Sequence, residues 1–330
     1  MSEFNPHDPD ARRTLLSHHP LITNEFTTFT PSIPKVVGEV LDAVMLHKKS
    51  ICFNALPQMG KTKICNSCIV ALEEHPDYQD RLIIKISADP NSHESVMRTL
   101  VRSLGLAMPK IFNLDFVRED VLNMIEGRLT LIKGRHAVFF IDEMQRLTTD
   151  DYECLQFLQN ELAIRNIGVT VIGFAQADIE KCVTNLRTRG RPELIIRFLN
   201  ELVKLPLCDS EAWIRETLEY YDDSLFYPVD SECSYTRFFM PMAFDAGFRL
   251  ANYSRPIFQA LDEAKTAKKL PCLPTVCVLE MVRFILIRSR SNDSPEFVID
   301  SRVIAGAINE CQIENYAASF NKPSAGRDNK

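Results

Sequence analysis

The stretch Ile51-Cys52-Phe53-Asn54-Ala55-Leu56-Pro57-Gln58-Met59-Gly60-Lys61-Thr62 decides the reading of this chain. An apolar run of strand length gives way to a short loop. The loop ends in Gly60-Lys61-Thr62, and a helical pattern follows to about His75. This is the context of a phosphate-binding loop, whose template is G-x-x-x-x-G-K-[ST]. Backbone N–H groups and a helix N-terminus then face the phosphates. Met59, Gly60, Lys61, Thr62 and Lys63 form the expected nucleotide-contacting run. Lys61 would reach the β- and γ-phosphates, and the Thr62 hydroxyl would ligate Mg²⁺. Ala55 stands where the template has its first Gly, and it is expected to weaken the match because Gly permits dihedrals that Ala resists. Pro57 removes one N–H donor.

Eighty residues beyond Thr62, Phe139-Phe140-Ile141-Asp142-Glu143 is an apolar strand ending in two carboxylates. This is the Walker B pattern. Asp142 would hold Mg²⁺ with Thr62, and Glu143 would orient and polarise an attacking water. Alone, the same residues would describe a strand ending at a solvated acidic turn. Their distance from the phosphate loop favours the nucleotide reading.

Further strands flank these two: Arg81–Ser87, Val169–Gly173 and Glu201–Leu207. Helical patterns separate them, near 34–49, 92–104, 115–132 and 150–165. Continuous apolar strands alternating with helices imply a parallel sheet covered on both faces. Beyond residue 207 the pattern is helical, at 209–221, 239–251, 255–268, 274–289 and 300–315. The organisation expected is an irregular N-terminal arm (1–33), an α/β nucleotide-binding core (34–208), a helical lid (209–315) and a disordered tail (316–330).

Gln176 follows the fourth strand, where a polar side chain lies beside the γ-phosphate or serves as a turn-capping group. A basic run follows: Lys181, Arg187, Arg189, Arg191 and Arg197, with Glu193 the only acid among them. An arginine reaching a neighbour's nucleotide stabilises transition-state charge. Most of the run also reads as a solvated basic face. Arg255 precedes Pro256 at a helix start in the lid, where it could contact the γ-phosphate in cis.

Composition narrows the class. The 330 residues are 45% hydrophobic and 25% charged, which excludes wholesale disorder. A net charge of −6 excludes a uniformly basic nucleic-acid coat, but not one basic face. The ten cysteines are scattered, and neither a signal peptide nor a membrane-spanning run is evident. Reduced thiols and a cytoplasmic location are expected. Cys65 and Cys68 lack the second pair a zinc ribbon needs, and read as small hydrophobes in a helix.

Together these elements resemble an AAA+ ATPase. More narrowly, the chain resembles the TnsC/TniB regulators of DNA transposition over residues 15–290. The residues that carry the likeness are His19-Pro20, Met59-Gly60-Lys61-Thr62, Ile141-Asp142-Glu143-Met144-Gln145, Arg197-Phe198 and Leu205-Pro206. Chain length and the Asp142–Gln145 stretch point within that family to CRISPR-associated transposons of the type I-F kind. The resemblance implies an AAA+ core, a parallel five-stranded αβα sandwich, with a helical lid. It implies that Lys61 and Thr62 bind ATP and Mg²⁺, that Asp142 and Glu143 are the Walker B pair, and that Gln176 and Arg255 occupy sensors 1 and 2. It makes Arg197 a candidate arginine finger, with Arg187, Arg189 and Arg191 in the same window. Gln176 stands where Thr or Asn is common, which bears on the hydrolysis rate.

The family assembles in rings or filaments on double-stranded DNA. It links a TniQ-like target selector, with its CRISPR effector complex, to TnsA/TnsB-like transposase subunits. Sequence-independent binding needs basic residues on the inner wall. Arg98 and Arg102, four apart on one helix face, and Lys110 are the candidates, or else an ordinary solvated face. The alternative is an AAA+ ATPase or STAND-like switch that acts on protein without binding DNA. A protein-threading motor would carry an aromatic pore loop, for which Met108-Pro109-Lys110-Ile111-Phe112 is ambiguous. A STAND protein would need repeats that the chain lacks. A small-molecule kinase would not need the arginine-rich segment, and no acidic triad marks a transposase.

Overall fold

The structure is a computed structural model that describes residues 4–24, 29–87, 95–108 and 113–320. The chain begins with two short helices, α1 (Pro9–Leu16) and α2 (Pro20–Thr23). The alternating region opens with α3 (Ser32–Met45), β1 (Ser50–Ala55), α4 (Lys61–Glu74), β2 (Arg81–Ser87), α5 (Val96–Ser103) and α6 (Leu114–Leu131). It continues with β3 (His136–Asp142), α7 (Thr149–Ile164), β4 (Gly168–Gln176), α8 (Ile179–Thr188), α9 (Pro192–Leu194) and β5 (Leu202–Lys204). The remainder is helical: α10 (Glu211–Asp223), α11 (Tyr235–Phe239), α12 (Pro241–Asp245), α13 (Ser254–Ala267), α14 (Thr275–Ser289), α15 (Ser301–Glu310) and α16 (Ile313–Phe320). Two compact units result, residues 32–206 and residues 1–31 with 207–330.

The α/β unit is built on a five-stranded sheet of order β2-β3-β4-β1-β5, with every pair parallel. All seven residues of β3 are buried, as a central strand covered on both faces requires. β4 lies between β1 and β3, pairing Ala55 with Gln176 and Asp142 with Phe174. This order brings the ends of the phosphate-loop strand and the acidic strand to either side of Gln176. Asp151 secures the covering helices. It completes a capping box with Thr148 at the start of α7, and it accepts the Val96 N–H of α5 at 2.7 Å.

Gly173 in β4 is fixed by close approach. A Cβ there would lie 2.2 Å from Met144 Sδ and 3.1 Å from Cys52 Sγ. Met144, fully buried just past the acidic pair, fills that space.

In the helical unit, His19 is buried against the rings of Tyr227, Tyr235, Phe238 and Phe239, at centroid distances of 4.6–4.7 Å. Its Nδ1 accepts the Leu21 N–H at 3.1 Å, and Pro20 opens α2 behind it. Burial pushes the imidazole down to about 3. Asp222 is buried too. It accepts the Leu250 and Ala251 N–H groups, and desolvation raises its carboxyl to about 6.

Several elements differ from the sequence reading. Residues 9–16 and 20–23 are helical rather than an irregular arm, because Asp8 and His19 cap helices that Pro9 and Pro20 begin. The expected helix 239–251 is two short helices and a 3₁₀ turn, interrupted at Met240-Pro241 and at Gly247, whose φ is +103°. Helix 300–315 breaks at Gln312, which adopts φ 59°. Its continuation α16 buries Tyr316 and Ala317, so residues 316–319 are ordered where a disordered tail was expected. The rest of that tail, beyond Phe320, lies outside the described residues.

Candidate nucleotide site

The loop between β1 and α4 is shaped by two left-handed residues, Gln58 at φ 61° and Gly60 at φ 80°. Gly60 suits such a backbone, and the space beside it is open. Gln58 adopts it at a conformational cost. Ala55 has no such requirement, because it ends β1 in extended conformation paired with Gln176. The reservation attached to Ala55 is therefore corrected: at this position the loop does not call for glycine. Met59 is buried and anchors the loop, whereas Lys63 is exposed in the first turn of α4.

Lys61 is only 6% exposed, and its ammonium donates to the Leu56 carbonyl at 3.0 Å. Burial lowers its pKa, while the charges of Glu143, Asp142 and Asp178 pull the other way. The Thr62 hydroxyl donates to Asp142 Oδ2 at 2.9 Å. Asp142 is 7% exposed, and among the described residues no basic side chain lies within 4 Å of it. A buried carboxylate without a cation, touching a hydroxyl, is a hard oxygen pair suited to Mg²⁺. These two residues would hold the ion.

Glu143 adopts φ 59°, an uncommon conformation for this residue, and its N–H donates to Asp142 Oδ1 at 3.0 Å. Three donors meet at Glu143 Oε2: Gln145 Nε2 at 2.6 Å, Gln176 Nε2 at 3.2 Å and Arg146 Nε at 3.3 Å. Gln145 also accepts the Gln176 backbone N–H at 2.9 Å. One side chain thus ties the acidic turn to the end of β4. Gln145, Arg146 and Asp178 were missed as site residues. Gln145 stood only within the Ile141–Gln145 stretch that carries the resemblance, proximity was the only signal for Arg146, and a 3₁₀ turn at Met144–Arg146 folds both back.

The arginines separate by environment. Arg191 is bonded to Glu153 and, at 2.6 Å, to Glu193. Arg197 lies in a π-helical turn and donates to Asn160 at 2.8 Å. Arg187 and Arg189 are exposed, and neither makes an ion pair among the described residues. Arg255 is exposed in the first turn of α13 and adds a minor pull on Glu211, whose pKa is lowered chiefly by Arg215. Arg98 is half-buried and Arg102 exposed on α5, while Lys110 and most of the candidate pore-loop stretch lie outside the described residues. Cys65 and Cys68 are buried in α4. Burial raises both thiols, that of Cys65 to about 12. Among the described residues, no helix is long and apolar enough to cross a membrane.

Comparison with known proteins bears on the same region. Residues 45–183 match the family model of an AAA domain. In fold the chain is similar to the Aeropyrum pernix ORC1 protein, solved in complex with DNA. That likeness has 15% identity, covers 88% of this chain and 68% of that one, and has a TM-score of 0.52. It is also similar to the Aeropyrum pernix ORC2 protein, solved as ADPNP–ADP complexes, with 10% identity, 89% and 72% coverage and a TM-score of 0.51. No curated protein sequence matches the chain. The chain thus shares its fold, a five-stranded parallel sheet between helices, with these structures, and its residues 45–183 match the AAA domain model.

Proposed function

We propose that the protein is an ATPase that binds double-stranded DNA without regard to sequence, assembles on it, and links a target-site selector to a transposase. The observation that carries the ATPase part is the Thr62–Asp142 contact at 2.9 Å, with Glu143 held by Gln145 and Gln176 beside it. Mg²⁺, when bound, would neutralise phosphate charge. Lys61 would exchange its Leu56 carbonyl for a phosphate oxygen. Glu143 would accept a proton from the attacking water, with Gln176 orienting both. Of the arginines, Arg189 and Arg187 are best suited to reach a neighbouring subunit's nucleotide, because Arg191 and Arg197 are already engaged.

The transposition part rests on the resemblance to TnsC/TniB regulators, within it to those of type I-F CRISPR-associated transposons. Two residues that carry the resemblance make close contacts: His19 is buried among four aromatic rings, and Gln145 bridges the acidic turn to β4. A neighbour in fold, the ORC1 protein, was solved in complex with DNA. Arg98 and Arg102, with Lys110, are the proposed backbone contacts. The test is anisotropy on random-sequence duplex with ATP, with ADP and without nucleotide. Binding confined to ATP, with a salt slope that becomes shallower in Arg98→Ala and Arg102→Ala, supports the reading. ATP turnover without DNA binding in any state overturns it in favour of a protein-directed ATPase.

A further inference from the structure

The helical unit carries a groove of about 410 Å³ that the nucleotide site does not use. Leu16 lines it above Phe238 and Phe239, and Arg12, Arg13 and Arg290 stand around it. Three arginines beside apolar side chains repel one another unless a counter-charge is supplied. None is within reach: among the described residues, no carboxylate lies within 4 Å of any of the three. Of the acids nearby in sequence, Asp10 is exposed on α1 one turn before Arg13 and is not within 4 Å of it, and three others are engaged elsewhere. Asp8 caps α1, Asp245 takes His7 and Arg237, and Asp293 accepts the N–H groups of Met242 and Ala243. Arg12 Nε is moreover buried without a hydrogen-bond partner. A nucleic-acid backbone would answer the charge but not the apolar lining. An acidic segment with an apolar side chain at its centre answers both.

The chain presents such a segment. Between α10 and α11, Phe226 and Val229 are 40% and 83% exposed. Asp223, Asp230 and Glu232 flank them and are exposed too. This loop and the groove both adjoin α1: Tyr227 donates to the Leu15 carbonyl, and Arg12, Arg13 and Leu16 line the groove. Two adjacent patches of opposite charge can pair reciprocally about a two-fold axis.

We infer that the helical units of two copies associate, with the 223–232 loop of each copy seated in the arginine groove of the other. Val229 is the apolar anchor, and Asp230 and Glu232 meet Arg13 and Arg290. This contact is separate from the nucleotide site and does not depend on ATP.

The test is sedimentation of the full chain without nucleotide or DNA. Two variants are needed, Arg13→Glu with Arg290→Glu, and Asp230→Lys with Glu232→Lys. All four positions are exposed, so folding should be retained, and circular dichroism checks it. The wild type should self-associate. Each variant alone should raise the dissociation constant at least tenfold, and a one-to-one mixture should restore association because both contacts are again complementary. A wild type that stays monomeric over the concentration range overturns the inference, as does a mixture no better than its components. Loss of duplex binding in the groove variant with self-association unchanged would assign the groove to DNA, and also overturns it. ATP-dependent DNA binding, measured on the same samples, reports separately on the proposed function.

Discussion

Replacing Gly173 by Ala should damage the nucleotide site from inside the sheet. The new Cβ would lie 2.2 Å from Met144 Sδ. Ordinary contact is about 3.5 Å, so the sulfur would have to retreat by roughly 1.3 Å. Met144 is fully buried, and Cys52 Sγ, 3.1 Å from the new Cβ, closes the other side. Without the clash, Gly→Ala in a strand would stabilise the fold by roughly 0.5–1 kcal/mol. Overpacking of this kind costs about 1–3 kcal/mol, so the net sign is destabilising. For a domain of this size each kcal/mol lowers Tm by about 2–4 °C. Gln145 follows Met144 and holds Glu143, so turnover should fall further than the lost stability explains. Thermal melts and steady-state ATP turnover measure the two effects. Gly173→Ala combined with Met144→Ala should cost less than the sum of the two single variants, a positive coupling between adjacent sites. Wild-type stability and turnover in Gly173→Ala, or strict additivity in the double variant, would refute the reasoning.

Gln145→Ala should lower kcat at least tenfold while changing the KM for ATP less than twofold, because Gln145 touches Glu143 and Gln176 and not the phosphate loop. Ala55→Gly should leave nucleotide affinity within twofold, whereas Gln58→Gly should stabilise the protein by about 1 kcal/mol by relieving a left-handed backbone; calorimetry reads both. His136 is buried, stacked on His47 at 4.2 Å, with Nε2 on Thr170 and Nδ1 unpartnered, and burial lowers its pKa to about 3. Its unfolded value is near 6.5, so between those limits only the unfolded chain takes up this proton and stability falls as pH falls. His136→Gln should make the stability–pH slope between pH 6 and 5 shallower by up to about 1.4 kcal/mol per unit, and an unchanged slope would exclude His136 as the source.

The sheet was legible because its strands are apolar throughout and because two motifs sat at their ends. The strand order was not, since nothing local in Val169–Gly173 states that β4 enters between β1 and β3. Thr62, Asp142 and Glu143 could be paired from spacing alone. The role of Gln145 could not, because a 3₁₀ turn and the missing side chain at Gly173 create it. Ala55 was misjudged because a template encodes residue types and not dihedrals; the positive φ falls at Gln58 and Gly60. In the helical unit, periodicity found the long helices α13 and α14. It missed breaks set by one residue, at Pro241 and Gln312. In the 187–197 stretch only Arg197 was singled out in sequence, by its Arg-Phe pair, and the three-dimensional partners separate the four.

The proposed function predicts that ATP hydrolysis ends the DNA-bound state, and the direct measurement is the lifetime of that state. Wild type and Glu143→Gln are loaded with ATP and Mg²⁺ on a labelled random-sequence duplex, and anisotropy is followed as the ATP is consumed. The account predicts that the wild type releases DNA in step with phosphate production, while Glu143→Gln stays bound with little phosphate released. Equal lifetimes for the two proteins, or DNA binding indifferent to nucleotide, would contradict it.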